Sequence, residues 1–293
     1  KKTHAFKNVI VNGIVLAEDG KKMSKKLNNY PDPSLVFDKY GADALRYYLI
    51  TSPVMLAENL NFAEKGVQES LRNVVMTLWN VFKFYEMYAG ETPQPCLSGR
   101  QAPFKKGGSN VLDQWILARL NQLIKETTEG MDNYNLPKAA RPIEDFVNDF
   151  STWYLRRSRD RFKGDDEADK KSALQTTGYV LLELAKVMAP FMPFTAENLW
   201  QKVSGNNFSN SDKSVHLEQW PSSAKASEGK PEDILEEMEV VRKIVELGLA
   251  KRDEAGIKVR QPLNKFSIFN FQFSINDYIN LIKDELNIKN VEV

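Results

Sequence analysis

The chain has 293 residues, 42% apolar and 27% charged, with 40 basic and 39 acidic side chains and a net charge of +1. That balance excludes a disordered or collagen-like chain and any global attraction to a polyanion, so nucleic-acid binding has to come from a local patch. Cys96 alone cannot build a disulfide framework or a multi-cysteine zinc site, His4 and His216 are too few for a histidine-rich metal centre, and no apolar run approaches the ~18 residues of a membrane span. The length fits two domains or one with an appendage. The start, Lys1-Lys2-Thr3-His4, lacks both an initiating Met and a signal-type apolar stretch, and a piece of a longer protein in a reducing compartment is expected.

Val9 to Leu16 is β-branched and apolar with Asn12-Gly13 in its middle, which predicts a strand or hairpin, followed by an exposed turn at Glu18-Asp19-Gly20. Lys21 to Asn29 is a lysine-rich loop running into Tyr30-Pro31-Asp32-Pro33, where two prolines forbid continuous helix. Ser34 is placed to cap a short helix, and Gly41 to Ile50 predicts another before Pro53. Val67, Leu71, Val74, Leu78, Val81, Tyr85 and Tyr88 alternate in spacings of four and three, one apolar stripe along a helix of roughly six turns. Residues 91 to 110, with three prolines, three glycines and no periodicity, read as a linker.

Leu112, Ile116, Leu120 and Leu123 predict a second helix. Pro137 opens a third that reaches about Phe162, and Leu174, Leu181, Ala185 and Met188 mark a fourth, stopped by Pro190. A fifth runs from Thr195 to about Val203. Polar stretches at 204 to 214 and 221 to 232 set off a last unit that reads helix (Ile234 to Arg252), strand (Phe266 to Phe271), helix (Asp277 to Leu286), strand (Ile288 to Val293). There is no internal repeat. The expected fold is mainly α: a helical bundle with a short β element and lysine loop at the N-terminus and a small α/β unit at the C-terminus. The expected segments are 1–40, 41–110, 111–225 and 226–293.

Three places carry candidate chemistry. In Lys21-Lys22-Met23-Ser24-Lys25-Lys26, four lysines in six residues follow Asp19-Gly20, so flexible ammonium groups can swing onto a triphosphate; the bland reading is a solvated basic loop. On the third bundle helix Phe146, Phe150 and Trp153 or Tyr154 form the buried stripe, while Arg156, Arg157, Arg159 and Arg161 gather towards its end. Those arginines either cap the helix and pair with Asp145, Asp149 or Asp160, or hold phosphates bidentately, with Trp153 available to stack on a base. Lys251, Arg252, Lys258, Arg260 and Lys265 read best as one solvated edge, with Gly256 in a turn. Asp43 and Arg46, a turn apart, are expected to pair or to fix their helix.

Lys22-Met23-Ser24-Lys25, after a strand and Asp19-Gly20, resembles the Lys-Met-Ser-Lys-Ser signature of class I aminoacyl-tRNA synthetases, with Lys26 in place of the final Ser. The blocks 8–20, 29–33, 41–46, 153–162, 188–191, 214–221 and 255–262 look, in this order, like the isoleucyl-tRNA synthetase family; the valyl and leucyl branches and a non-catalytic tRNA-binding module are the alternatives. The resemblance implies an enzyme that activates isoleucine with ATP, with Mg2+, and transfers it to tRNA(Ile) in the cytoplasm as a monomer. Lys22 and Lys25 are its expected catalytic residues, Lys22, Met23, Ser24 and Lys25 its ATP-binding loop, and Trp153, Arg156, Arg157, Arg159 and Arg161 its tRNA contacts, with no resident metal. The family's His-x-Gly-His segment cannot be present in a chain whose only histidines are His4 and His216, so this chain is expected to be a C-terminal portion, inactive and cofactor-free alone.

Overall fold

The computed structural model describes residues 4–90, 110–210, 212–222, 231–268 and 276–292. It is mainly α-helical, with four short strands among the described residues, and its contacts divide into two compact units, 1–104 with 120–224 and 105–119 with 225–293. The expected linker lies outside the described residues except for Asn110.

In the first unit β1 (Val15–Leu16) pairs in parallel with β2 (Leu60–Asn61). The strand or hairpin expected over 9–16 is therefore corrected: its last two residues alone are strand, and Asn12-Gly13 is no hairpin turn. The Gly13 N–H donates to the Val54 carbonyl at 2.7 Å, and a Cβ on Gly13 would stand 1.7 Å from the Glu58 carbonyl oxygen. Glycine is required there because two backbones pass in contact.

Between the strands run α1 (Pro33–Tyr40), α2 (Ala42–Thr51) and a 3-10 turn (Pro53–Leu56). Asp32, not Ser34, caps α1: its Oδ1 accepts the Ser34 N–H at 2.9 Å, while Pro33 occupies the first turn, where a missing N–H loses no bond. Gly41 (φ 82°) makes the corner between α1 and α2, a conformation open mainly to glycine.

Helices α3 (Glu64–Ser70) and α4 (Thr77–Ala89) are joined without a break by a π-helical segment, Leu71–Met76. The same device recurs between α7 (Pro142–Asp149) and α8 (Arg156–Lys163), joined by Phe150–Leu155 after the short α6 (Leu136–Ala140). Here the sequence supplies a reason. Phe146, Phe150, Tyr154, Ser158 and Phe162 recur every four residues, and all five are fully buried. A 3.6-residue turn would carry such a ladder around the rod by ~40° per step, and a wider i→i+5 turn in its middle resets it. Of Trp153 and Tyr154, it is Tyr154 that joins the stripe.

Helix α5 (Val111–Asp132) begins where the Asn110 side chain accepts the Leu112 N–H. Helix α9 (Glu167–Met188), capped by Asp166, packs against α4, α8 and α10 (Pro193–Val203). α9 and α4 approach closely at Gly178, where a Cβ would meet the Tyr85 hydroxyl at 2.8 Å.

The second unit holds α11 (Pro231–Glu254), β3 (Leu263–Ser267), α12 (Asn276–Leu286) and β4 (Ile288–Glu292). β3 and β4 are parallel, Leu263 opposite Ile288 and Ser267 opposite Glu292, with α12 as the crossover that parallel strands need. β3 starts at Leu263, three residues before the expected position; the expected end at 269–271 lies outside the described residues. α11 and α12 touch at Gly248, where a Cβ would fall 2.5 Å from Leu286. Arg252 departs from the solvated edge expected of it. It is 3% exposed and its Nη2 donates to the carbonyls of Lys258, Val259 and Gln261, so it fixes the turn after Gly256. Lys251 and Lys265 are exposed and pair with Glu254 and Glu292.

Candidate functional site

The lysine loop hangs from β1. Asp19 closes the turn, its Oδ1 accepting the Lys21 N–H at 3.1 Å and its carboxylate pairing with the Lys21 ammonium at 3.0 Å. The Lys21 backbone N–H first, then the Lys21 side chain, hold the Asp19 carboxyl below its ordinary range. Gly20 (φ 78°) lets the chain double back, the Ala17 N–H donates to the Lys21 carbonyl at 2.8 Å, and Lys22 bridges antiparallel to Leu16. Met23 points inward and packs on Val36, Tyr40, Ala44, Phe62 and Val67.

The loop then closes on itself. Leu27 and Asn28 donate their N–H groups to the carbonyls of Ser24 and Lys25, and Asn28 takes a left-handed conformation (φ 45°). Asn29 is thereby returned to the start of the loop. Its Oδ1 accepts the Ser24 N–H at 2.9 Å and its Nδ2 donates to the Lys22 carbonyl at 3.2 Å. Sequence reasoning passed over Asn29. The available signal was an Asn pair ahead of Tyr30-Pro31, since Asn side chains at loop ends bond back to backbone.

Among the described residues no carboxylate stands within ion-pair distance of Lys22, Lys25 or Lys26, all exposed. This leaves three unneutralised ammonium groups over a backbone held by turns, suited to a polyanion. Beside the loop is a cleft of about 330 Å³ lined in part by Glu18, Asn28, Asn29 and Tyr30. No group of three or more His, Cys, Asp or Glu that could hold a metal ion occurs among the described residues.

Two polar ties, one from buried Asp43 and one from exposed Arg46, connect α2 to the corner between α9 and α10. Asp43, 6% exposed, accepts the Thr195 N–H on Oδ2 at 2.6 Å in the first turn of α10. Arg46 donates from Nε and Nη2 to the carbonyls of Phe191 and Pro190 at 3.1 and 3.0 Å. Of the two expectations for Asp43 and Arg46, the mutual pair is not formed; each instead ties α2 to a neighbouring element. The carboxylate serves a helix N-terminus and the guanidinium the carbonyls that follow a helix end, each on the favourable side of the dipole.

Of the arginines, Arg156 and Arg159 are exposed and Arg157 is half-buried; the Arg159 guanidinium lies 5.8 Å from the Phe84 ring centre. Arg161 differs. It is bidentate on Asp169, with Nε 2.9 Å from Oδ2 and Nη2 2.7 Å from Oδ1, and its side chain is 10% exposed. At Arg161 the pairing reading is met by a partner on the next helix that was not among the expected aspartates. Trp153 is half-buried beside Tyr154.

Residues 113–268 match the family described as the anticodon-binding domain of tRNA ligase, and residues 1–61 match the class I tRNA synthetases of the I, L, M and V group. Isoleucine–tRNA ligase of Chlamydia trachomatis serovar D is 43% identical over 98% of this chain, and that of Protochlamydia amoebophila is 39% identical over 98%. The chain spans 27% of the length of each. Among solved structures, the ternary complex of Agrobacterium radiobacter K84 LeuRS with tRNA and LeuAMS superposes with a TM-score of 0.53 at 23% identity, covering 76% of this chain and 24% of that one, a likeness of fold. Helices α6 to α11 and all but the first two residues of α5 lie within the first match, and the lysine loop lies within the second: the chain belongs to the anticodon-binding domain family of tRNA ligases.

Proposed function

We propose that the chain is the lysine-loop and anticodon-binding portion of an isoleucine–tRNA ligase, which joins isoleucine to ATP as isoleucyl-adenylate, releasing pyrophosphate, and passes the acyl group to tRNA(Ile). The observation that supports isoleucine is the 43% identity to an isoleucine–tRNA ligase over nearly the whole chain. In this reading the Lys22 and Lys25 ammonium groups meet the ATP phosphates and strengthen their hold as charge shifts onto the leaving pyrophosphate. Ser24 supplies a hydroxyl beside them, and Met23 anchors the loop on the core cluster beneath it. Arg156, Arg157 and Arg159, with Trp153, form the tRNA surface, while Arg161 keeps α8 seated on α9 through Asp169. ATP and isoleucine are substrates of the whole ligase; Mg2+ arrives with the nucleotide. In this reading the ligase works as a monomer in the cytoplasm.

The test is ATP–pyrophosphate exchange in a ligase of the relatives' full length carrying this segment. Lys25→Ala lowers exchange by about 100-fold or more, in line with removal of one preorganised transition-state contact, and leaves isoleucine affinity within about twofold. Unchanged exchange removes the phosphate role.

A further inference from the structure

The lysine loop owes its shape to a residue outside the four-residue signature. Lys22 C=O and Ser24 N–H flank Met23 on one edge of an extended segment, the two groups that a neighbouring strand would satisfy. Among the described residues no strand lies there. The Asn29 amide stands in for it, presenting oxygen to Ser24 N–H and nitrogen to Lys22 C=O as a peptide unit would. Lys22 is bridged on its other side to Leu16, so the stretch is held from both edges. Because side chains alternate along an extended chain, turning Met23 into the core turns Lys22 and Ser24 the opposite way. Asn29 can reach the loop because Asn28 accepts a left-handed conformation.

We infer that Asn29 is a positioning residue for adenylate formation: its amide fixes the Lys22–Lys25 backbone in the form that presents both ammonium groups to the ATP phosphates. This rests on the phosphate role proposed above. Asn29 itself touches no substrate; it acts by removing loop conformations in which Lys22 and Lys25 face water.

The experiment compares Asn29→Ala, Asn29→Gln and Lys25→Ala in a full-length ligase carrying this segment, by ATP–pyrophosphate exchange with ATP and isoleucine varied separately. Losing two hydrogen bonds to the loop should lower kcat/KM for ATP about tenfold or more in Asn29→Ala, with KM for isoleucine unchanged. Asn29→Gln keeps both amide functions and should recover part of the loss. On the present chain, hydrogen exchange at the Ser24 amide should accelerate in Asn29→Ala while the melting temperature stays put. Normal exchange kinetics in Asn29→Ala beside a crippled Lys25→Ala overturns the inference and spares the phosphate role. Normal kinetics in both removes the phosphate role itself, and a loss accompanied by a lowered melting temperature and a raised KM for isoleucine shows that Asn29 matters only for folding.

Discussion

The tie between Asp43 and α10 gives a stability effect that can be worked from the structure. Asp43 is buried, its Oδ2 takes the Thr195 N–H at 2.6 Å, and its Oδ1 has no hydrogen-bond partner, so one bond carries the interaction. A bond from an N–H to a charged acceptor contributes about 1.5–3 kcal/mol, and a negative charge at a helix's first turn about 0.3–1 kcal/mol more. Asp43→Ala should therefore cost roughly 2–4 kcal/mol, while Asp43→Asn, which keeps an acceptor oxygen and loses the charge, should cost about 1 kcal/mol. Urea unfolding of the chain followed by helical circular dichroism measures both, and hydrogen exchange at Thr195 shows whether the loss is local to α10. If Asp43→Ala falls within about 0.5 kcal/mol of the parent, or Asp43→Asn is equally damaging, the carboxylate is not the cap described.

Glu197 makes stability depend on pH. Burial pushes its carboxyl up, but bonds from Gln201, the Ser214 hydroxyl and the Val215 N–H outweigh this and hold it below the ordinary glutamate value. A depressed carboxyl adds stability above its unfolded pKa and loses it as pH falls through the folded value. The melting difference between the parent and Glu197→Gln should accordingly be full at pH 7 and close below about pH 4; a pH-independent difference would contradict that linkage. Arg161→Ala should lower the melting temperature and leave the salt dependence of tRNA binding alone. Replacing Arg156, Arg157 and Arg159 together should flatten the slope of log K against log salt by up to about two to three units. An unaltered slope would assign those three to the helix instead.

The helices could be read from the sequence because their apolar periodicities are local: the stripe from Val67 to Tyr88 and the run Phe146, Phe150, Tyr154 each stand within one rod. The continuation of that run through Ser158 and Phe162, and the π segment that resets it, went unread. What escaped was set by distant partners. Gly13 looked like half of a hairpin turn, and its reason for being glycine is the Glu58 carbonyl. β1 pairs with a two-residue strand far along the chain, which carries no pattern of its own. Asp43 finds Thr195 across 152 positions, so spacing along one helix suggested Arg46 instead. For the sites, residue type was enough to mark the lysine loop and the arginine helix. It could not show Arg161 held by Asp169 on the next helix, or reveal Asn29 as the closure of the loop.

The central claim is that this chain reads the anticodon of an isoleucine tRNA through its helical bundle. The most direct measurement is binding of the chain to that tRNA and to a transcript with altered anticodon bases, each titrated from low to physiological salt. Tighter binding of the native anticodon, with the preference kept as salt weakens both complexes, is the predicted result. Equal affinity for the two transcripts at every salt concentration would contradict it.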